Sequence, residues 1–91
     1  INNDPVLLYS IQIFTHENYE YLKNYRLNLV NGNESIFFPN DLFISIFNSN
    51  LGTEYFLLYK NFESRNAAHE YCKQYVYFIE KCIIVNVQNL E

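Results

Sequence analysis

Four stretches of this chain alternate their side chains with a period of two, and the two stretches between them carry apolar residues at spacings of three and four. That alternation limits the folds available more than any other feature. Leu7 to Phe14 reads as a first strand, with Tyr9, Ile11 and Ile13 on one face and Ser10, Gln12 and Phe14 on the other. Thr15 is placed to cap a helix with Glu17 in its first turn. The helix is expected to run to about Val30 on a stripe of Leu22, Tyr25 or Arg26, and Leu29, and to stop at Asn31-Gly32-Asn33. Residues 35–41 read either as a short extra strand or as a buried connection ended by the Pro39-Asn40 turn signal. Leu42 to Phe47 and Tyr55 to Lys60 are the next two strands, joined by a hairpin loop with Gly52 near its end. Ser64 caps a second helix whose stripe is Ala68, Tyr71, Cys72 and Tyr75, fading by Tyr77. Cys82 to Gln88 closes the series, with Ile83, Val85 and Val87 opposite Ile84, Asn86 and Gln88.

The order strand, helix, strand, strand, helix, strand predicts an α+β fold. The expected form is a βαββαβ ferredoxin-like sandwich, a four-stranded antiparallel sheet with both helices on one face. Residues 1–6 read as the end of a linker or leader, and residues 7–90 as one domain. The chain starts at Ile1 and contains no methionine, which suits a piece cut from something longer.

Charge narrows the partners. Six basic residues stand against ten acidic ones, a net charge of −4, with no basic cluster. Phosphate backbones are held largely by clustered Lys and Arg, so the balance argues against nucleic acid. It argues equally against a polybasic membrane contact, leaving any membrane attachment to segments outside this sequence. The strand–helix order is shared with RNA-recognition modules, but their basic and glycine-rich third-strand signature is missing. His69 lies one turn from Cys72, yet no orienting acid or oxyanion donor accompanies them. Phosphate-loop, zinc-protease and EF-hand patterns are absent, and neither a metal nor another cofactor is expected. Cys72 and Cys82 leave two readings. One is a disulfide closing a loop of about 11 residues, worth roughly 2–3 kcal/mol. The other is a pair of buried free thiols.

If Ile11, Ile13, Ile44, Ile46, Phe56, Leu58, Val85 and Val87 face the helices, the opposite face carries Ser10, Gln12, Phe14, Phe43, Ser45, Phe47, Tyr55, Leu57, Tyr59, Ile84, Asn86 and Gln88. That surface is aromatic and amide-rich, suited to sugar rings, nucleobases or a protein partner, unless a terminal segment covers it.

Two stretches carry a resemblance to a known family. Tyr9-Ser10-Ile11-Gln12-Ile13 is similar to the opening strand of the sporulation-related repeat (SPOR) domains of bacterial envelope proteins. Tyr55-Phe56-Leu57-Leu58-Tyr59 followed by Phe62-Glu63-Ser64-Arg65-Asn66-Ala67-Ala68 resembles their third strand running into the second helix. The closing segment Val85 to Leu90 extends the match, above all to SPOR domains that end cell-division proteins. The resemblance implies a non-catalytic module that binds peptidoglycan glycan strands stripped of their stem peptides, on the extracytoplasmic side of the membrane or in the periplasm. It implies contacts from Gln12, from Thr15 just after the first strand, from Tyr55 as the ring that packs on the glycan, and from Ile84 on the last strand. Phe47, Leu57 and Tyr59 extend the apolar strip beside Tyr55. An oxidising compartment implies that Cys72 and Cys82 are bonded. The chain departs from the family at Lys60-Asn61, where glycine is common, and in its acidity. The alternative is a SPOR-like domain that binds a protein partner in a pilus, secretion or other envelope assembly.

Overall fold

The computed structural model describes residues 9–32, 37–76 and 81–87. The elements follow the expected order. Strand β1 spans Tyr9–His16, helix α1 Tyr19–Asn31, β2 Leu42–Ser49, β3 Gly52–Phe62, α2 Arg65–Tyr75 and β4 Ile83–Asn86. The four strands form one antiparallel sheet in the order β2-β3-β1-β4. Both helices pack on β1 and β3, and α2 also reaches β4. Parts of the first and last predicted strands, at residues 7, 8 and 88, lie outside the described residues.

Local chemistry sets the boundaries. The first helix is capped by Asn18, whose side chain accepts the Tyr21 N–H at 3.0 Å. Thr15 is still in β1, paired with Phe56, so the expected cap there is corrected: ladder pairing carries the strand two residues further, to His16. Ser64 caps α2 as predicted, accepting the Ala67 N–H at 3.1 Å. Residues 39–41 form a single tight turn; Phe37 ahead of it is buried while Phe38, Pro39 and Asn40 are exposed, and residues 35 and 36 lie outside the described residues. Asn50 and Leu51 form the turn between β2 and β3, and Gly52 at φ 126° occupies backbone space closed to other residues.

Two bulges shape the sheet. Between Gln12 and Phe14 the register with β3 slips by one, with Ile13 the extra residue. Between Tyr9 and Ile11 the extra residue is on β3, where Lys60 adopts φ 59°. Buried Ser10 fills that irregularity, sharing its hydroxyl between the Tyr59 and Lys60 carbonyls at 3.2 and 2.5 Å.

The core lies between sheet and helices. Ile11, Leu22, Phe37, Leu42, Leu57, Tyr59, Ala68, Cys72 and Val76 are buried together there. A disulfide joins Cys72 on α2 to Cys82 just before β4, so the bonded reading of the two cysteines holds. The sulfur one turn from His69 is therefore not a free thiol.

Candidate functional site

Strand register decides which residues each face presents. The two-residue turn pairs Ser49 with Gly52, and counting back gives Ile46 with Tyr55, Ile44 with Leu57 and Leu42 with Tyr59. Partners across an antiparallel pair share a face. Ile44 and Ile46 therefore face the helices as expected, and they bring Tyr55, Leu57 and Tyr59 with them. Leu57 is 0% and Tyr59 1% exposed, both in the helix-side core. The Tyr59 hydroxyl accepts the Phe38 N–H at 3.0 Å, and its ring meets Phe37 edge-on at 4.8 Å. Ile84 pairs with Ile11 and packs against the same core.

The expected binding strip of Tyr55, Leu57, Tyr59 and Ile84 on the open face is thus corrected: all four lie on the helix side. Phe56 and Leu58, expected under the helices, lie on the opposite face, as does Val85, which pairs with Ser10. Phe14 changes sides as well, because the bulge at Ile13 re-aims everything after it. Its ring stacks on Tyr25 of α1 at 4.3 Å and 7°.

Gln12, Thr15 and Phe47 remain on the face away from the helices. Gln12 lies beside Leu58 and Ile83, and Thr15 beside Phe56. Phe47 meets Phe56 edge-on, with centroids 6.4 Å apart. Phe43 pairs with Leu58 on the same face, and Ser45 with Phe56. Leu58 is fully buried although it lies outside the helix-side core. The surface is a cluster of three phenylalanines bordered by one amide and two hydroxyls, with Glu54 opposite Phe47 at the hairpin end. Phe56 is the ring that reading the sequence missed. The signal for it was the parity of the hairpin loop, which sets the register between β2 and β3.

A second concavity lies on the helix side. A groove of about 680 Å³ separates α1 from β2, lined by Tyr19, Lys23, Arg26, Leu42, Ile44, Ile46 and Tyr55. Tyr55, the expected glycan ring, sits at one end of this groove, 5.5 Å from Tyr19.

Lys60 is held differently. Its ammonium is 2.8 Å from an Asp41 carboxylate oxygen and lies 5.1–5.5 Å from the rings of Phe38, Tyr59 and Tyr71. The hydrogen bond to Asp41 raises its pKa above the ordinary 10.5. Burial raises the Tyr71 phenol above 10.0.

Among the described residues no group of three or more His, Cys, Asp or Glu is placed to hold a metal. No described helix is long and apolar enough to cross a membrane. No protein-family model matches this chain, and no curated protein or solved structure matches it either.

Proposed function

We propose that this domain is a non-catalytic binding module whose ligand surface is the sheet face away from the helices, and that its ligand is a peptidoglycan glycan strand without stem peptides. The observation that carries this reading is the Phe43, Phe47 and Phe56 cluster bordered by Gln12 and Thr15. A phenyl ring offers a flat apolar surface to the C–H face of a pyranose, and an amide beside it can donate to and accept from an N-acetyl group. In this reading Phe56 takes the stacking role that the family resemblance gave to Tyr55. Gln12 and Thr15 keep the roles it gave them. The strand positions of this face carry little charge, so repulsion from the lactyl carboxylates of a bare glycan is modest across water. Such a module would hold an envelope or division protein at the wall, in the periplasm or on the extracytoplasmic side of a membrane.

A protein partner in an envelope assembly is the second reading for this face. It is favoured by the absence of a ring hydroxyl on Phe43, Phe47 and Phe56, and by Ile83 and Val85 continuing the apolar surface across β4.

Titration with purified stem-free glycan strands tests the first reading. Saturable binding lost in Phe56→Ala and kept in Tyr55→Ala supports it. A folded domain that ignores the glycan at high concentration moves this face to the protein-partner reading.

A further inference from the structure

The groove between α1 and β2 combines three features that the phenylalanine face lacks. First, its floor is the outer edge of the sheet, which pairs only with β3 among the described residues. Strand β2 is an outer strand of eight residues, Leu42–Ser49, and none of them is charged or proline. Such guards usually keep an edge from pairing, and here they are missing. Second, the backbone groups of that edge are oriented outward. A two-residue turn makes Ser49 and Gly52 a hydrogen-bonded pair, so by alternation Phe47, Ser45 and Phe43 bond to β3 while Ile46, Ile44 and Leu42 point away. The Leu42 carbonyl accordingly accepts from Arg26 Nε at 3.1 Å rather than from β3. Arg26 also donates to the Pro39 carbonyl at 2.6 Å, closing the edge at that end only. The edge beyond it, at Ile44 and Ile46, has no described partner, and Ile46 is 50% exposed.

Third, the groove is locally basic on an acidic protein. Arg26 bonds to carbonyls and has no carboxylate within ion-pair distance among the described residues. Lys23 makes an exposed ion pair with Glu20 at 3.8 Å, of a kind worth little, and its ammonium lies 5.6 Å from the centre of the Tyr19 ring. Tyr55 pairs with Ile46 and lies near Tyr19, while Arg26 reaches Leu42, so α1 runs antiparallel to β2. The apolar end of the groove is thus Tyr19, Tyr55 and Ile46, and the cationic end is Lys23 and Arg26 beside Ile44 and Leu42.

We propose that this groove takes an extended peptide of a protein partner, paired with the edge of β2 at Ile44 and Ile46. An apolar side chain of the peptide rests against Tyr19 and Ile46, and an Asp or Glu meets Lys23 and Arg26. Main-chain pairing supplies the attachment, and the two alternate side chains that drop into the groove supply the choice of partner. The site is separate from the phenylalanine face, which lies on the other side of the sheet.

The test is selection of octapeptides from a random displayed library on the intact 91-residue chain, followed by titration of the synthetic winners. The expected winners alternate apolar residues with at least one Asp or Glu. Their binding is expected to weaken at least tenfold in Lys23→Glu and in Ile46→Lys, both at exposed positions, and to survive in Phe56→Ala. The amides of Ile44 and Ile46 are expected to exchange with solvent more slowly once the peptide is bound. Winners without acidic residues, or equal binding to Lys23→Glu when circular dichroism shows that variant folded, overturn the proposal. So does a chain that selects no peptide and instead dimerises in sedimentation through an edge that Ile46→Lys blocks, which would make the occupant a second copy.

Discussion

The ring of Phe14 on β1 lies parallel to that of Tyr25 on α1, with 4.3 Å between centroids and 7° between planes. This stack exists because the bulge at Ile13 turns Phe14 toward the helices. Phe14→Ala is therefore expected to destabilise the domain by about 2–3 kcal/mol, combining lost burial with a lost ring pair. Thr15→Ala, on the other face, is expected to change stability by only about 0.5 kcal/mol. Urea unfolding of the two variants checks the order, and a reversed order means that β1 runs through without the bulge.

Tyr59 tests the face of β3. Its ring is buried and its hydroxyl accepts the Phe38 N–H. Tyr59→Phe is expected to cost about 1–2 kcal/mol, because the amide loses its acceptor. Leu57→Ala is expected to cost about 2–5 kcal/mol. Both variants should bind glycan like the parent chain at temperatures where they are folded. Lost binding in folded Leu57→Ala would restore the strip to the ligand surface.

The disulfide ties α2 to the entry of β4 across a separation of 10 residues. Replacing Cys72 and Cys82 together by Ala is expected to cost roughly 3 kcal/mol from loop entropy. Thermal unfolding with and without reductant provides the check: the parent should lose stability on reduction, and the double variant should not respond.

Stability should also fall in alkali. Lys60 and Tyr71 both have raised pKa values in the folded chain, so the native state keeps protons that the unfolded chain releases. Their contribution is fully present below the ordinary values of 10.0 and 10.5 and is lost as pH rises through the raised ones. Urea midpoints measured from pH 9 upward should decline more steeply for the parent than for Lys60→Gln or Tyr71→Phe. Equal slopes would contradict this assignment.

The elements were legible in the sequence because each one buries a single periodic stripe, and Ser64, Gly32 and Gly52 mark their ends. The faces of the sheet were not. Strand β3 places Tyr55, Leu57 and Tyr59 on one side and Phe56 and Leu58 on the other, so both sides are apolar and polarity cannot choose between them. Register chooses, and it depends on whether the loop after β2 holds two residues or three. The Ile13 bulge leaves no compositional mark, since an extra isoleucine looks like one more strand residue. Lys60 adopts φ 59°, a backbone conformation that favours glycine. The ammonium pairing with Asp41 and the surrounding rings holds that conformation in place. The α1–β2 groove was not legible at all, because it arises from the packing of α1 mainly on β1 and β3, which leaves Ile46 of β2 exposed.

The most direct test of the account is to map the glycan by backbone amide shifts while stem-free strands are titrated into labelled protein. The account predicts that the shifts concentrate at Gln12, Thr15, Phe43, Phe47 and Phe56, leaving Tyr19, Ile44 and Ile46 unmoved. Shifts centred on Tyr55 and the α1 groove, or none at saturating glycan, would contradict it.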